Sequence, residues 1–363
     1  MAGTLRVGII GASAGRGWAK VSHVPAVQGL AGLELAAVAT NDQKSADAAA
    51  AAFGVKGYAD AQAMLRDPAV DLVAVAVKVP DHRKLVLGAI AAGKHVYCEW
   101  PLGRGLAEAQ ELADAAGSAG VHAAVGLQTR ANPAAIRARG LIASGAIGRV
   151  LSARVLSTTM AFGPKVEAAM AFGEQEENGA TLVTIQGAHT LDLAIATLGG
   201  LETAAALATT QFPHIQLDGG AAQRRSTADH ILVQARVAGG PALSVEVAGG
   251  RPPEATPFLF EVTGEEGVVT LEGGAARGFQ SGRLRLLLNG AEQQVDEGEA
   301  AAMPDTAANV AGTYAALRDD ILNGTATAPG FDHAVRLTRL IGDLMASSRG
   351  GARVSSADWP GQQ

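Results

Sequence analysis

The sequence contains a single cysteine, Cys98, among its 363 residues. Without a second thiol the chain cannot form an intramolecular disulfide, and a zinc site built from several thiolates is excluded. The 29 lysine and arginine residues are outnumbered by 35 aspartate and glutamate residues, and the pI is near 5.8. Because no basic stripe interleaved with aromatics stands out, direct nucleic-acid binding is not expected.

Long apolar runs are also missing. No uninterrupted apolar stretch reaches the roughly 18 residues that a membrane-spanning helix needs. The first residues, MAGTLRVGII, lack the basic segment and long apolar core of a secretory signal. We therefore expect a cytoplasmic protein with no membrane partner.

What the sequence does contain is an apolar content of 48% and 46 glycines, which is typical of a globular protein with tight helix-on-sheet packing. Its length predicts about two domains. Up to Val125, short apolar runs alternate with Ala-rich helical segments, a pattern that predicts a doubly wound parallel sheet over residues 1–126. The strands are predicted at 5–10, 33–39, 72–77, 95–98 and 121–125, and the helices near 18–30, 43–52, 82–92 and 105–119.

Residues 127–363 have a different pattern, with longer strands separated by Gly-rich turns. It predicts an α+β domain with a large, mostly antiparallel open sheet, with helices on one face and the other available for self-association. The predicted strands are 150–158, 203–212, 230–237, 242–248, 258–263, 268–271 and 284–288, and the predicted helices are about 133–144, 179–198, 305–323 and 332–348.

The stretch VGIIGASAGRGWA runs from a strand through glycines into a helix. Free backbone N–H groups at such a turn bind a pyrophosphate, so the stretch predicts an NAD or NADP site; a tight turn without ligand is the alternative. The spacing departs from the usual glycine fingerprint, since Ser13 and Arg16 occupy two of its positions. The predicted contacts are Gly11, Ser13, Gly15, Arg16, Gly17 and Trp18.

The tip of the second strand carries Thr40 and Asn41, where an acidic residue usually binds the ribose hydroxyls of NAD. Asp42 comes one place later, and Lys44 is close by. Uncharged groups do not repel a 2′-phosphate, so the sequence leaves NAD and NADP both open.

Residues 76–82, AVKVPDH, lie where doubly wound sheets bind ligands. Lys78, read as part of the strand, is either a solvated surface residue or a cation that faces the nicotinamide or the substrate. His82 either packs at the helix start or contacts the cofactor, and Val79 and Pro80 are further predicted cofactor contacts.

The glycine loop, VPDH, GKHVYCEWPLG, GLQTRANPA and NGATLVTIQGAHTLDLA occur in an order that resembles the Gfo/Idh/MocA family of NAD(P)-dependent sugar and polyol oxidoreductases. Within that family the chain is most similar to the subgroup of the yeast galactose-pathway inhibitor, a regulatory member that binds a dinucleotide. The resemblance implies a homodimer or homotetramer that takes a small-molecule substrate.

The family's enzymes carry Glu-Lys-Pro after the fifth strand and an Asp four places before a catalytic His. Here those Lys and Asp positions are Trp100 and Ile185, whereas His189 is retained. An indole cannot exchange a proton near neutral pH, so Trp100 is predicted to be a stacking surface for a sugar or nicotinamide ring. His189 suits acid–base chemistry; its alternative is a structural histidine.

Several further residues are predicted to bind substrate. They are Glu99, Gln128, Arg130 and Asp192. Lys78 is predicted to be catalytic together with His189, and Glu99 is also a predicted cofactor contact. Asp192 lies three places after His189, on one helix face, but no third ligand for a metal site is evident. The predicted function is hydride transfer between nicotinamide and a sugar, polyol or related cyclic hydroxyl compound. The alternative is a catalytically silent dinucleotide-binding regulator with a protein partner.

Overall fold

The computed structural model describes residues 3–252, 254 and 257–361. The chain forms two compact units: residues up to Gln128 with Glu297–Val335, and Thr129–Asp296 with the residues from Arg336 onward. The segment Glu297–Val335 thus packs with the first unit although it follows the second sheet in the chain. The limits predicted from the sequence, 1–126 and 127–363, remain predictions.

The first unit contains a six-stranded parallel sheet. Its strands are β1 Leu5–Ile10, β2 Leu33–Ala39, β3 Lys56–Tyr58, β4 Leu72–Val75, β5 His95–Cys98 and β6 Ala123–Val125. Their spatial order, β3-β2-β1-β4-β5-β6, is that of a doubly wound dinucleotide-binding sheet. The fold predicted for this half of the chain is confirmed.

The helices follow local signals in the sequence. They are α1 Val24–Gly29, α2 Gln43–Phe53, α3 Ala61–Leu65, α4 His82–Ala91, α5 Leu106–Ala119, α6 Pro133–Ala143, α7 Ala188–Leu198, α8 Asp305–Asn323 and α9 Phe331–Gly350. For example, the Asp42 carboxylate caps the start of α2, and Gly54 ends that helix with φ +70°. Helix α8 buries Val310, Tyr314 and Leu317 in the same core as β1.

The second unit is built on an eight-stranded sheet ordered β17-β16-β15-β14-β7-β13-β12-β9, and on a small sheet ordered β11-β10-β8. These strands are β7 Val150–Thr158, β8 Lys165–Val166, β9 Leu201–Thr209, β10 His214–Leu217, β11 Ala222–Arg224, β12 His230–Val237, β13 Ala242–Ala248, β14 Phe258–Gly264, β15 Val268–Gly273, β16 Leu284–Leu288 and β17 Ala291–Glu292. Within the large sheet β7 and β13 run parallel and the other pairs antiparallel.

The large sheet has one buried face and one exposed face. In β12, Ile231 and Val233 are buried whereas Leu232 and Gln234 between them are exposed, as the two-residue period of a strand requires. Helix α6 packs against β15 and β16, and α7 packs against β7. The mostly antiparallel open sheet predicted for this half is confirmed.

Some predicted elements were wrong in extent. The strand predicted over 72–77 ends at Val75, so Lys78 lies outside it, and the strand predicted over 203–212 is Leu201–Thr209. The helices predicted near 18–30 and 179–198 each begin with a π-helical turn, Ala19–His23 and Val183–Gly187. The short β3, α3, β8, β10 and β11 were not predicted, because elements of two to five residues show no full repeat of an apolar pattern.

Within the described part of the chain, no helix is both long and apolar enough to cross a membrane.

Candidate functional site

The glycine loop begins where β1 ends. Gly11 has φ +98°, and a Cβ there would overlap the carbonyl oxygen of Ala76 and lie 2.9 Å from Val77 Cγ1. At Gly15 and Gly17 a Cβ would meet no atom within 4 Å. The loop therefore turns tightly at Gly11 and leaves its backbone open beyond it, a geometry that fits the pyrophosphate of a dinucleotide.

A cavity of about 500 Å³ lies beside this loop in the first unit. Four of the predicted cofactor contacts line it, namely Gly11, Ser13, Thr40 and Asn41. Gly15, Arg16 and Gly17 are exposed on the loop itself, and Trp18 is half-buried at its end. The structure thus brings the two predicted halves of a dinucleotide site, the loop and the tip of β2, to one cavity.

Lys20 holds the loop and was not singled out from the sequence. Its Nζ donates to the carbonyl oxygens of Ala14 at 2.5 Å and Gly15 at 3.3 Å. A cation that binds loop carbonyls leaves the loop N–H groups for a ligand. The signal available in the sequence was a lysine at the start of the helical segment, directly after the glycine loop.

The tip of β2 has an uncharged surface toward the cavity. The Asp42 carboxylate accepts from the backbone N and the hydroxyl of Ser45, each at 2.8 Å, and these bonds lower its pKa. The Ser45 hydroxyl also lies 2.8 Å from Thr40 Oγ1. Because Asp42 serves as a helix cap, the polar side chains that residues 40–42 present to the cavity are those of Thr40 and Asn41.

The segment after β4 contains the other predicted cofactor contacts. Lys78 is exposed and precedes a short 3-10 helix, Val79–Asp81, in which Val79 is buried and Pro80 is exposed. His82 is buried: its Nδ1 lies 2.9 Å from the carbonyl oxygen of Pro101 and its Nε2 lies 3.1 Å from that of Val77. His82 thereby joins the segment after β4 to the segment after β5, and its predicted cofactor contact remains a prediction.

Glu99, at the end of β5, belongs to a buried polar network. Its Oε1 lies 2.9 Å from His23 Nε2, and His23 Nδ1 lies 2.8 Å from the hydroxyl of Tyr314. The rings of Tyr97 and Tyr314 stack with centroids 4.5 Å apart, and His23 meets both edge-on. A Cβ at Gly126 would come 2.8 Å from Glu99 Oε1, so Gly126 leaves the room that this carboxylate occupies.

Trp100 follows Glu99 and joins Pro101 through a cis peptide bond. It is only 6% exposed, and the preceding Cys98 is fully buried. Burial raises the pKa of the Cys98 thiol well above its usual value, so this cysteine stays protonated and unreactive.

In the second unit the π-helical turn Val183–Gly187 leads into α7. Ile185 lies on that turn, half-buried, and His189 and Asp192 lie on α7 at 4% and 1% exposure. Isolated π-helical turns are frequent at functional sites. Arg130 Nε lies 3.3 Å from Asp192 Oδ2, so two predicted substrate contacts form an ion pair.

Gln128, the last predicted substrate contact, is the final residue of the N-terminal segment of the first unit and is 1% exposed. Among the described residues, no three His, Cys, Asp or Glu side chains are grouped so as to hold a metal ion.

Two family models match the chain. Residues 5–127 match the oxidoreductase family with an NAD-binding Rossmann fold, and residues 133–273 match the C-terminal domain of Gal80p. The dinucleotide cofactor expected from the sequence is thus confirmed at the level of the family, and the residues that bind it remain predictions.

Two curated relatives match over similar lengths. The dehydrogenase aclE of Aspergillus oryzae is 36% identical over 250 residues, which cover 66% of this chain and 68% of that protein. The galactose/lactose metabolism regulatory protein GAL80 of Saccharomyces cerevisiae is 25% identical over 296 residues, which cover 76% of this chain and 68% of the relative. The chain is therefore similar both to an enzyme and to a regulator.

Solved structures show the same fold. A super-repressor mutant of Gal80p from Saccharomyces cerevisiae superposes with a TM-score of 0.87 at 22% identity and covers 98% of this chain and 99% of its own. Levoglucosan dehydrogenase in complex with NADH and L-sorbose superposes with a TM-score of 0.82 at 22% identity, over 97% of this chain and 98% of its own.

Proposed function

Because this chain belongs to the Gfo/Idh/MocA oxidoreductase family, we propose that it is an NAD(P)-dependent dehydrogenase or reductase acting on a CH–OH group of a sugar, polyol or related cyclic hydroxyl compound. The observation that carries the proposal is the open glycine loop beside the 500 Å³ cavity, with Thr40 and Asn41 at its other end. The 36% identity to a dehydrogenase supports it.

In the proposed mechanism, NAD(P) held at the glycine loop would supply the hydride acceptor or donor for the substrate carbon. The backbone at Gly11, Ser13 and Gly15 holds the pyrophosphate at the end of β1. Thr40 and Asn41 hold the adenosine ribose. The remaining proposed cofactor contacts on the loop are Arg16, Gly17 and Trp18. Those outside the loop are Val79, Pro80, His82 and Glu99.

His189 is the proposed acid–base group. On oxidation the substrate C–H bond breaks as a hydride and the hydroxyl proton passes to His189 and on to solvent, while a C=O bond forms; reduction reverses each step. Trp100 and Ile185, at the family's Lys and Asp positions, leave no other titratable group at those two places. The proposed substrate contacts are Glu99, Trp100, Gln128, Arg130 and Asp192, with Lys78 as a second cation.

A regulator without turnover is the second candidate function. The same two replacements, Trp100 and Ile185, favour it, because they remove two polar groups that the family's enzymes use. The match of residues 133–273 to the Gal80p C-terminal domain also supports it. Such a protein would bind the dinucleotide and act through a protein partner.

Self-association is also proposed. The exposed face of the eight-stranded sheet carries Leu207 at 55% exposure and Leu232 at 40%, and pairing two such faces would bury both. A homodimer or homotetramer in analytical ultracentrifugation that dissociates in the Leu232→Arg variant would support this interface.

The decisive experiment measures NAD(P)H absorbance on a panel of sugars, polyols and cyclic alcohols. We expect turnover by the wild type and a loss of roughly 10²- to 10⁴-fold in kcat in His189→Asn, with cofactor affinity nearly unchanged. The matched control is His214→Asn, an exposed histidine of the same unit that should turn over as the wild type does.

Two results would contradict the proposal. A wild-type rate in His189→Asn would make His189 structural and Lys78 the leading acid–base group. A wild type that binds NAD(P) and turns over none of the panel would favour the regulator, which pull-down with and without cofactor would then test.

A further inference from the structure

A second cavity, of about 620 Å³, lies within the second unit. The loop after β7, strand β8, the 3-10 segment Ala168–Glu174 and the end of β10 form its walls. Ile185 also lines it, from the π-helical turn that leads to His189. The cavity therefore reaches the position at which the family's enzymes carry their Asp.

Seven large apolar side chains line this cavity, together with six charged or polar ones, Lys165, Glu167, Glu174, Gln216, Asp218 and Arg277. The apolar ones are Met160, Phe162, Val166, Met170, Phe172, Ile185 and Leu217. Two methionines and two phenylalanines offer adaptable, polarisable surface to a ring. A volume of this size is typical of pockets that enclose a small organic ligand.

Most of the charged groups in the wall already have partners. Glu174 binds Arg225 at 2.5 Å, and Glu167 binds Arg277 at 2.6 Å. The Asp218 carboxylate accepts from the backbone N of Ala168. Every ligand hydroxyl that enters without finding a partner loses its hydrogen bonds to water, which weakens binding. Lys165 and Gln216 are the other polar side chains of the wall. A ring with a hydroxyl on every carbon needs more hydrogen-bond partners than these two side chains supply.

Phe162 supports a role for the cavity in binding. Its φ is +58°, a region that bulky side chains rarely adopt. Gly249 gives it room, because a Cβ there would lie 2.8 Å from Phe162 Cβ and 3.1 Å from the Phe162 carbonyl oxygen. The chain therefore accepts an unfavourable backbone conformation while it keeps an aromatic ring in the cavity wall.

We propose that this cavity selects cyclic alcohols with a largely apolar ring system and one or two hydroxyl groups over fully hydroxylated sugars and polyols. The inference rests on the proposed dehydrogenase function and narrows its substrate class. The apolar ring occupies the methionine and phenylalanine wall, and the hydroxyl that reacts lies on the Ile185 side, toward α7.

The test compares three ring probes by calorimetric titration of the full chain with saturating NAD⁺. They are trans-1,2-dihydroxytetralin, trans-cyclohexane-1,2-diol and myo-inositol, which differ in apolar area and in hydroxyl number. We expect affinity to fall in that order, with the tetralin diol at least about tenfold tighter than myo-inositol. Equal or tighter binding of myo-inositol would overturn the proposal, and so would failure of both diols to bind.

Two variants test whether the ring of the tetralin diol binds in this cavity. Phe172→Ser and Met170→Ser should each weaken the tetralin diol by about tenfold, because each removes apolar surface from the wall. Ile136→Ser, an exposed apolar residue of α6 outside the cavity, is the control and should bind the diol as the wild type does. Unchanged binding in both cavity variants would show that the diol lies elsewhere.

The same samples separate this proposal from the function on which it rests. A tetralin diol that binds in the expected order but forms no NADH supports the cavity and contradicts the dehydrogenase. NADH formed only from myo-inositol and sugars supports the dehydrogenase and overturns the substrate class.

Discussion

The Tyr314 hydroxyl lies 2.8 Å from His23 Nδ1, although 291 positions separate the two residues in the chain. Burial and the nearby Glu99 charge raise the pKa of Tyr314 well above its usual value, so the phenol stays protonated and can donate to His23. His23 then carries its proton on Nε2 and donates it to Glu99. Tyr314 thus fixes the His23 tautomer and, through it, the orientation of Glu99.

We expect His23→Ala to lower the free energy of unfolding by about 2–3 kcal/mol, because it leaves the Glu99 carboxylate without its buried donor. Tyr314→Phe should cost less, about 1 kcal/mol, because His23 can still donate to Glu99. Urea denaturation followed by circular dichroism measures both. Equal losses in the two variants would show that the network does not run from Tyr314 to Glu99.

Gly11→Val should abolish dinucleotide binding, because the added side chain would overlap the backbone of Ala76 and displace the loop. Gly117→Val makes the same chemical change on α5, where a Cβ meets nothing within 4 Å, and is the control. Fluorescence titration with NADH and NADPH measures the affinity. Wild-type affinity in Gly11→Val would place the pyrophosphate elsewhere.

The uncharged tip of β2 predicts only modest discrimination between the two cofactors. We expect the affinities for NAD and NADP to differ by less than about three orders of magnitude, roughly 4 kcal/mol. Asn41→Asp should weaken NADP by at least about tenfold through repulsion of the 2′-phosphate while it leaves NAD bound. An Asn41→Asp variant with unchanged preference would show that this residue does not face the ribose.

Arg225 is buried and is shared by two buried carboxylates, Glu174 at 2.5 Å and Asp229 at 2.7 Å. Arg225→Met should lower the free energy of unfolding by about 3–5 kcal/mol, because it leaves both carboxylates without their cation. Arg236→Met removes a surface ion pair with Glu202 and should cost less than about 1 kcal/mol. Thermal and urea unfolding of the two variants give the comparison.

His82 predicts a pH dependence of stability. Its burial lowers the pKa of the imidazole in the folded state, so between that value and about 6.5 the unfolded chain binds more protons. The His82 contribution to stability is therefore present above about pH 6.5 and is lost as the pH falls below it.

His82→Gln should be less stable than the wild type at pH 7.5 by about 1–3 kcal/mol, since it disturbs the contacts to Val77 and Pro101. The difference between the two proteins should narrow as the pH falls toward 5. Urea unfolding at a series of pH values measures it, and a constant difference would argue against a neutral buried His82.

Features determined by residues close together in the sequence were predicted correctly, whereas those that depend on residues far apart in the chain were not. The bounds of β1, β5 and β12 agreed with prediction because alternation or a short apolar run decides them locally. The family membership is confirmed, and it rested on contiguous motifs such as the glycine loop and VPDH. His23 was missed because its partners Glu99 and Tyr314 lie 76 and 291 residues away.

Two other structural features could not be predicted from a pattern in the sequence. The π-helical turns before α1 and α7 are five residues each, too short for apolar spacing to distinguish them from ordinary helix. Phe162 was not predicted to take a positive φ, because the room for it comes from Gly249, which lies far along the chain. The cavity that Phe162 lines is formed by segments that are distant in the sequence and meet only in the folded chain.

The packing of Glu297–Val335 with the first unit has a consequence for synthesis on the ribosome. All six strands of the Rossmann sheet have been translated once Val125 is made, yet Val310, Tyr314 and Leu317, which complete the core, come much later. Until those residues are synthesised, the first unit exposes apolar surface. His23 also lacks its hydrogen bond to Tyr314 during that interval. The first unit therefore completes its core only after most of the second unit has been synthesised, so residues 1–128 expressed alone would lack part of that core.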